Sequence, residues 1–380
     1  MANEQLKEKI IDYAHQIGID KIGFTAADPF SEMKARLKMQ QADNYQSGFE
    51  KGSNAERTEP KLHVSDAESI IAIAVAYPSR MKARPVNKKG ERRGNFCRAS
   101  WGMDYHTVLN DKLNQLNRFI ENLVPGFRSR IMVDTGELSD RAVAERAGIG
   151  FSGKNCAIIT PEFGSYVYLG EMITNVPFTS DVPVDDGCGD CTKCLDACPT
   201  GALVAPGRLN AKNCIAFLTQ TKDFLPDEYR DKLGNQLYGF DTCQLVCPKN
   251  KGVDFHLHDA FEPEPDKVKP ELLPLLSISN REFKETFGHM AGSWRGKKPL
   301  QRNAILALAH YREERAVEEL DRLMRTDPRP VIRGTAAFAI GKIGRRDSYR
   351  LIQQARLSET DEAVIAEMEK GLAFELVYQN

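Results

Sequence analysis

The chain has 380 residues, enough for two or three domains at about 150 residues each. With 41% hydrophobic residues it can bury a sizeable core, which excludes a disordered chain. Its net charge of −1 excludes a general nucleic-acid coat protein, so any polyanion site has to be a local patch.

The opening stretch EQLKEKIIDYAHQIG reads as an amphipathic helix ended by Gly18. It is charged and has no apolar h-region, so no secretory signal is expected. The longest apolar run, IIAIAVAY from Ile70 to Tyr77, reads as a buried strand. It is far shorter than the ~20 residues needed to span a bilayer. A cytoplasmic chain with no membrane contact is expected. Its nine cysteines then stay reduced and do not form a disulfide framework.

DYHTVLNDKLNQLNRFIENL predicts a second helix, with Leu109, Leu113, Leu116 and Ile120 on one face. YVYLGEMIT predicts another strand, and residues 1–180 are expected to form an α/β domain. Asp134 follows a short apolar strand and precedes a helix that Ser139 could cap. GIGFSGKN fits G-x-G-x-x-G at Gly148, Gly150 and Gly153, and nearly fits a P-loop through Lys154. Both motifs need a strand before and a helix after, and here the order is reversed. Asn155 also lacks the hydroxyl that would bind magnesium. The loop remains open to packing against a flat cofactor.

Residues 181–255 hold seven of the nine cysteines. Structural zinc takes four ligands, usually as two separated pairs. Here Cys188, Cys191, Cys194, Cys198 and Pro199 give C-x2-C-x2-C-x3-C-P, the run that feeds three thiolates to one [4Fe–4S] cluster and the fourth to another. Read back from Cys247-Pro248, Cys243 is in place, but Phe240 and Leu237 stand where two further cysteines belong. Cys214 can take the Leu237 role from a distance. The first cluster is then complete with Cys188, Cys191, Cys194 and Cys247. The second has Cys198, Cys214 and Cys243, leaving its last iron to water, to a nearby group such as Asp241, or absent. DFHLH, from Asp254 to His258, reads as a surface linker rather than a metal pair.

A proline-rich linker is expected over 256–290, and 291–380 repeats. PLQRNAILALAH from Pro299 and PVIRGTAAFAIG from Pro330 align without gaps, pairing Arg302 with Arg333. Ile332, Ala336, Ala339 and Ile343 share a helical face. The period predicts a helical solenoid, and DPRPVIRGTAAFAIGKIG resembles a HEAT repeat.

VDTGELSDRAVAERAGIGFSGKN, CTKCLDACPTGAL, YGFDTCQLVCPKN and the terminal repeats together resemble the bacterial epoxyqueuosine reductases, over nearly the whole chain. The resemblance implies an α+β multidomain protein that joins a cobalamin-binding domain, a two-cluster ferredoxin-like module and HEAT-like repeats. It is also similar to the reductive dehalogenases. It implies cobalamin, two [4Fe–4S] clusters, and reduction of epoxyqueuosine to queuosine at the tRNA wobble position. An external one-electron donor such as ferredoxin or flavodoxin, and a monomer, are expected with it. Asp134 is implied as proton donor, Cys97 as a neighbour of the corrin, and Arg57, Lys154 and Asn155 as cofactor or site contacts. Phe240 departs from the family pattern, which has cysteine there.

Composition and spacing alone do not show cobalamin. DYHTVL supplies Asp104 and His106 of a D-x-H-x-x-G signature but has Leu109 at the glycine. A free aspartate, with a pKa of about 3.9, is almost wholly ionised at neutral pH. Burial against an apolar corrin face is expected to raise Asp134, because desolvation disfavours the carboxylate. The basic runs SRMKARPVNKKGERRGNFCR and SWRGKKPLQR suit tRNA phosphate. Expected tRNA contacts are Arg141, Arg281, Arg295, Lys297, Lys298, Arg302 and Arg333. The competing readings are a corrinoid reductase acting on a small molecule and a non-enzymatic iron–sulfur electron carrier.

Overall fold

A four-stranded sheet organises the N-terminal part of the chain. The computed structural model describes residues 2–378. Helix α1 (Ala2–Gln16) leads into strand β1 (Lys21–Ala26). Gly18, at φ +76°, supplies the left-handed residue that ends the helix. Then come α2 (Ser31–Ala42), β2 (Ser69–Ala76), α3 (Tyr105–Leu123), β3 (Ser129–Met132), α4 (Asp140–Arg146) and β4 (Val167–Thr174). The strand order is β1-β2-β4-β3 and every pairing is antiparallel, so the domain is α+β rather than a parallel α/β fold.

All eight residues of β2 are buried because both faces of the sheet are covered. Successive side chains point to opposite faces. Ile70, Ala72 and Ala74 share a core with Val143 and Ala144 of α4. Ile73 pairs with Gly170 of β4, where a Cβ would lie 3.1 Å from Leu113 of α3. The alternate set therefore faces α3, and glycine at 170 lets that helix approach. The predicted stripe of Leu109, Leu113, Leu116 and Ile120 is fully buried.

Two short helices carry the cysteine turns, α5 (Lys193–Asp196) and α6 (Thr242–Leu245). From residue 280 onward the described chain is helical. Helix α7 (Asn280–Phe287) opens with a reciprocal capping box between Ser279 and Glu282. It is followed by α8 (Lys297–His310), α9 (Val317–Thr326), α10 (Pro330–Ile343), α11 (Ser348–Arg356) and α12 (Glu362–Tyr378). Ile332, Ala336, Ala339 and Ile343 of α10 are buried together, as their spacing predicts. Arg230 makes a two-pronged contact to Glu367 of α12, at 2.5 and 2.7 Å, inside this layer.

The compact units do not follow the expected boundaries at 180, 255 and 290. One unit comprises the chain up to Arg80, Met103–Cys214 and Asp241–Glu262. The other comprises Met81–Gly102, Ile215–Phe240 and the chain from Pro263. The ferredoxin-like stretch is thus divided, and the basic run at 81–102 belongs to the helical unit. Arg93 explains part of this, bonding to Asp266, to the Lys269 carbonyl and to Glu271. The stretch expected as a linker is structured, with Phe261, Val268, Leu272, Leu275 and Leu276 buried. Among the described residues no helix is long and apolar enough to cross a membrane.

Candidate active site and cofactor positions

The cysteine turns form the first element of the site. Cys188, Cys191, Cys194 and Cys247 line one pocket of about 130 Å³, with Lys154, Asn155 and Pro248 on its wall. This is the set predicted for the first cluster. Among the described residues no three His, Cys, Asp or Glu side chains close on a point as a single metal ion requires. Four thiols around a cavity are the ligand set of a cubane. Lys154 donates to the Gly189 carbonyl at 2.5 Å, and Asn155 bonds to the Cys243 carbonyl at 3.4 Å. Both residues therefore brace the cysteine turns.

The second set is three-sided. Burial pushes the Cys243 thiol up to about 12, with the charges of Cys214, Asp241, Cys194 and Cys198 adding to it. Burial also raises Cys198, but backbone N–H groups of Leu203, Thr200 and Ala202 and the Thr200 hydroxyl aim at its sulfur and lower it overall. Such donors favour a thiolate. Phe240 serves a different cluster of side chains. It packs on a core of Ile215, Leu218, Leu225, Leu233, Leu306 and Phe338. Asp241 is buried beside Cys243.

Beyond the glycine loop lies an open cleft of about 1020 Å³. Phe151–Lys154, Cys156, Arg36, Arg141 and Arg208 are among its lining residues. Its volume matches the upper range of cofactor clefts, roughly 300–1,000 Å³, and its cations suit a ligand carrying phosphate. Arg57 is half-buried and its Nη1 has no partner among the described residues, leaving a donor for a ligand. These residues fit a large cofactor. Cys97 is buried in the helical unit, 3.7 Å from the Ser100 hydroxyl.

Asp134 sits two residues beyond the end of β3, at φ +50°. Its carboxylate faces His106, with Oδ2 3.4 Å from Nε2. The other ring nitrogen, Nδ1, is 2.7 Å from Asp104 Oδ1. Asp104 is the N-cap of α3 and also accepts the His106 amide. One helix start therefore fixes both the position and the orientation of the imidazole. Burial opposes charge on His106, but its hydrogen bond to Asp104 and the facing carboxylate of Asp134 outweigh it and push its pKa up to about 9. The facing imidazolium in turn holds Asp134 below the usual carboxylate range, against burial and with help from Tyr105. The expected rise at Asp134 is absent from the protein itself, because a cation faces the carboxylate and its side chain is 61% exposed. Ser139 makes no side-chain cap to α4, contrary to expectation.

Sequence reasoning missed His106 as a partner of Asp134, and it missed Asp140 and Glu171. Asp140 Oδ2 accepts the Asp134 amide at 2.8 Å. The local signal for His106 was the Asp-x-His spacing at a helix start.

The proposed tRNA contacts separate. Arg302 is 0% exposed and donates to the carbonyls of Leu218, Thr221 and Asp223. It is spent on orphan backbone groups and cannot meet phosphate, which corrects its assignment. Arg333 is paired with Glu359 at 2.7 Å, although it occupies the same repeat position. Arg281 is exposed and paired with Glu285. Arg295 and Lys297 donate to the carbonyls of Gln220 and Ile278, and Lys298 is half-buried. Trp294, 53% exposed beside Arg295, is an aromatic surface the charge count overlooked. Arg141 is exposed and bonds to the Cys156 carbonyl. His258 bonds Asp20 at 2.7 Å and His256 bonds Glu262 at 2.6 Å.

Three family profiles match the chain. They are described as "Epoxyqueuosine reductase QueG, DUF1730" over residues 57–135, a 4Fe-4S double cluster binding domain over 187–250, and HEAT repeats over 295–373. The epoxyqueuosine reductase of Bacillus anthracis is 64% identical over 97% of this chain and 97% of its own length. A crystal structure of epoxyqueuosine reductase with a tRNA-Tyr epoxyqueuosine-modified stem loop is 63% identical, with a TM-score of 0.96, covering 98% of this chain and 99% of that one. The Bacillus subtilis epoxyqueuosine reductase, solved with its Asp134 catalytic loop swung out of the active site, is 62% identical over the same shares, also with a TM-score of 0.96.

Proposed function

The chain belongs to the epoxyqueuosine reductase family, and from that premise we propose that Asp134 and His106 together deliver the proton on which the reaction depends. The enzyme reduces epoxyqueuosine to queuosine in tRNA. Converting an epoxide to an alkene removes the oxygen as water and consumes two electrons and two protons. An alkoxide is a poor leaving group, so a proton has to reach the oxygen as the C–O bond breaks.

At neutral pH the proton of this pair rests on His106 and the negative charge on Asp134. Asp104 holds the imidazole from behind, so its Nε2 side points at Asp134. A developing alkoxide beside Asp134 draws the proton forward, from His106 Nε2 to Asp134 and on to the oxygen. His106 then recovers a proton from solvent for the next one. The contact between His106 Nε2 and Asp134 Oδ2 carries this reading. The relative solved with its Asp134 catalytic loop swung out supports it, since this chain has Asp134 at the same number.

Arg57, Lys154, the glycine loop and the cleft beside it would hold cobalamin, with Cys97 a further neighbour. When bound, cobalamin supplies the strongly reducing centre for the carbon that loses oxygen. Cys188, Cys191, Cys194 and Cys247 would hold one iron–sulfur cluster and Cys198, Cys214 and Cys243 the second. Such clusters would supply one-electron transfer from an external donor such as ferredoxin or flavodoxin. Arg141, Arg281, Arg295, Lys297, Lys298 and Arg333 remain the tRNA contacts of this reading. The enzyme works as a monomer in the cytoplasm.

Asp134→Asn tests the assignment. It should keep iron content and tRNA affinity while turnover falls by about 10²-fold or more, the usual weight of a general acid. Near-normal turnover would make Asp134 a turn residue only.

A further inference from the structure

Asp134 holds a backbone conformation that residues with a Cβ rarely adopt, at φ +50°. Something has to keep it there. The loop is tight, with the Thr135 amide 2.5 Å from the Val133 carbonyl. The Asp134 amide donates to Asp140 Oδ2 at 2.8 Å. Asp140 is the first residue of α4. On β4, Glu171 pairs with Met132 of β3 and Ala72 of β2, and both of those lie in the apolar core under α4. Glu171 is therefore on the α4 face of the sheet, 1% exposed. Neither of its oxygens has a well-formed hydrogen bond among the described residues, yet it lies close enough to Asp140 for each to shift the other. A carboxylate buried this way without a cation stays neutral.

We propose that Asp140 and Glu171 form a positioning pair for the catalytic loop: neutral Glu171 supports the Asp140 carboxylate from below, and that carboxylate holds the Asp134 amide so that its side chain meets His106. This rests on Asp134 being the acid. Charge supports the geometry. Burial, then Asp134, raises Asp140 to about 6, while the nearby neutral Glu171 acts in the other direction. Burial and Asp140 raise Glu171 well above the carboxylate range. The other charged groups around the loop are Arg57, which faces Asp140, Arg141, which faces Asp134, and Glu137, paired with Arg130 at 2.6 Å. Arg57 and Arg141 bear on the loop from outside the pair and Glu137 is committed elsewhere. Asp140 is thus an anion poised to lose its charge just below neutral pH, and the loop should loosen as it does.

Hydrogen–deuterium exchange over residues 133–139 of the full chain reads this without any cofactor. Asp140→Ala should raise exchange there by about tenfold or more at pH 7.5, the weight of a lost charge-assisted bond. Asp140→Asn keeps an acceptor oxygen but no charge, so at pH 7.5 it should already show the looser exchange that wild type shows at low pH, short of that of Asp140→Ala. Wild-type protection, corrected for intrinsic rates, should fall as pH drops through about 6, and Asp140→Asn should lose that dependence. Glu171→Leu should move the loss to higher pH, and Glu171→Gln, which can still donate, should restore it. Turnover of Asp140→Ala should drop in kcat with KM for tRNA unchanged. Unchanged exchange in Asp140→Ala, or the same pH dependence in Asp140→Asn, would overturn the proposal. Failure of the Asp134 assignment would appear separately, as full turnover in Asp134→Asn with these exchange results intact.

Discussion

A histidine that ordinarily titrates near 6.5 is held charged to about 9 by two carboxylates. The sign follows directly. A raised histidine pKa stabilises the fold fully below about 6.5, and that contribution is lost as pH rises through about 9. Its size is at most about 3 kcal/mol, and solvent at the exposed Asp134 screens part of it. Wild type should therefore lose more stability than His106→Gln between pH 6.5 and 9.5 when both are melted thermally. Turnover should show an alkaline limb near 9 that His106→Gln lacks, on a lower plateau. Parallel pH curves for the two proteins would remove His106 from the proton path. Asp134 was singled out through the family resemblance, since its local setting, at a strand end before a helix, suits a turn residue as well as an acid. Its partners were not. His106 lies on α3, and Glu171 looks like any polar residue in YVYLGEMIT. Only the register of β4 between β2 and β3 brings that glutamate under α4.

At the scale of elements, the paired turns at α5 and α6 were the most readable feature. Ligand spacing is set by the local chain and needs no tertiary knowledge. The pocket ringed by Cys188, Cys191, Cys194 and Cys247 follows from it. Phe240 carries a side chain that serves the helical core, where the motif calls for a ligand. The second cluster should therefore be labile, as a three-iron form or a four-iron form with a non-cysteine corner such as Asp241. Anaerobic reconstitution should give fewer than eight irons or a distinct, easily oxidised site. Phe240→Cys should restore a stable second cluster while costing about 1–2 kcal/mol of packing, since only part of the ring is buried. Eight tightly held irons with all-cysteine ligation in the unaltered chain would count against this. The repeats show the limit of pattern reading. Arg302 and Arg333 share a register, yet one satisfies buried carbonyls and the other pairs with Glu359. Sequence alignment of repeats fixes position along the solenoid, and neighbours decide what the side chain does there.

For the whole molecule, a net charge of −1 means that tRNA has to be met by a patch. Arg295, Lys297 and Lys298 cluster at the start of α8, with Trp294 exposed beside them. Changing the three cations to alanine should weaken all substrate tRNAs about equally and lower the salt slope by about one per lost contact. Arg302→Ala should leave that slope alone and cost about 3 kcal/mol or more, because it strands several buried carbonyls. A salt slope that shifts with Arg302→Ala and not with the triple change would reverse these roles.

The chain passes between its two compact units at Arg80, Gly102, Cys214, Phe240 and Glu262. On a ribosome this ordering matters. The unit that binds the clusters cannot close until Glu262 has emerged, by which time most of the chain has been made. The helical unit needs Met81–Gly102 and Ile215–Phe240 before its terminal repeats can settle. The helical unit cannot be completed before the cluster-binding unit, whose thiols wait in an open chain until its last segment, Asp241–Glu262, has been made. Cluster insertion is therefore an event of late or finished synthesis, and a message cut short before codon 247 lacks the last thiol of the first pocket.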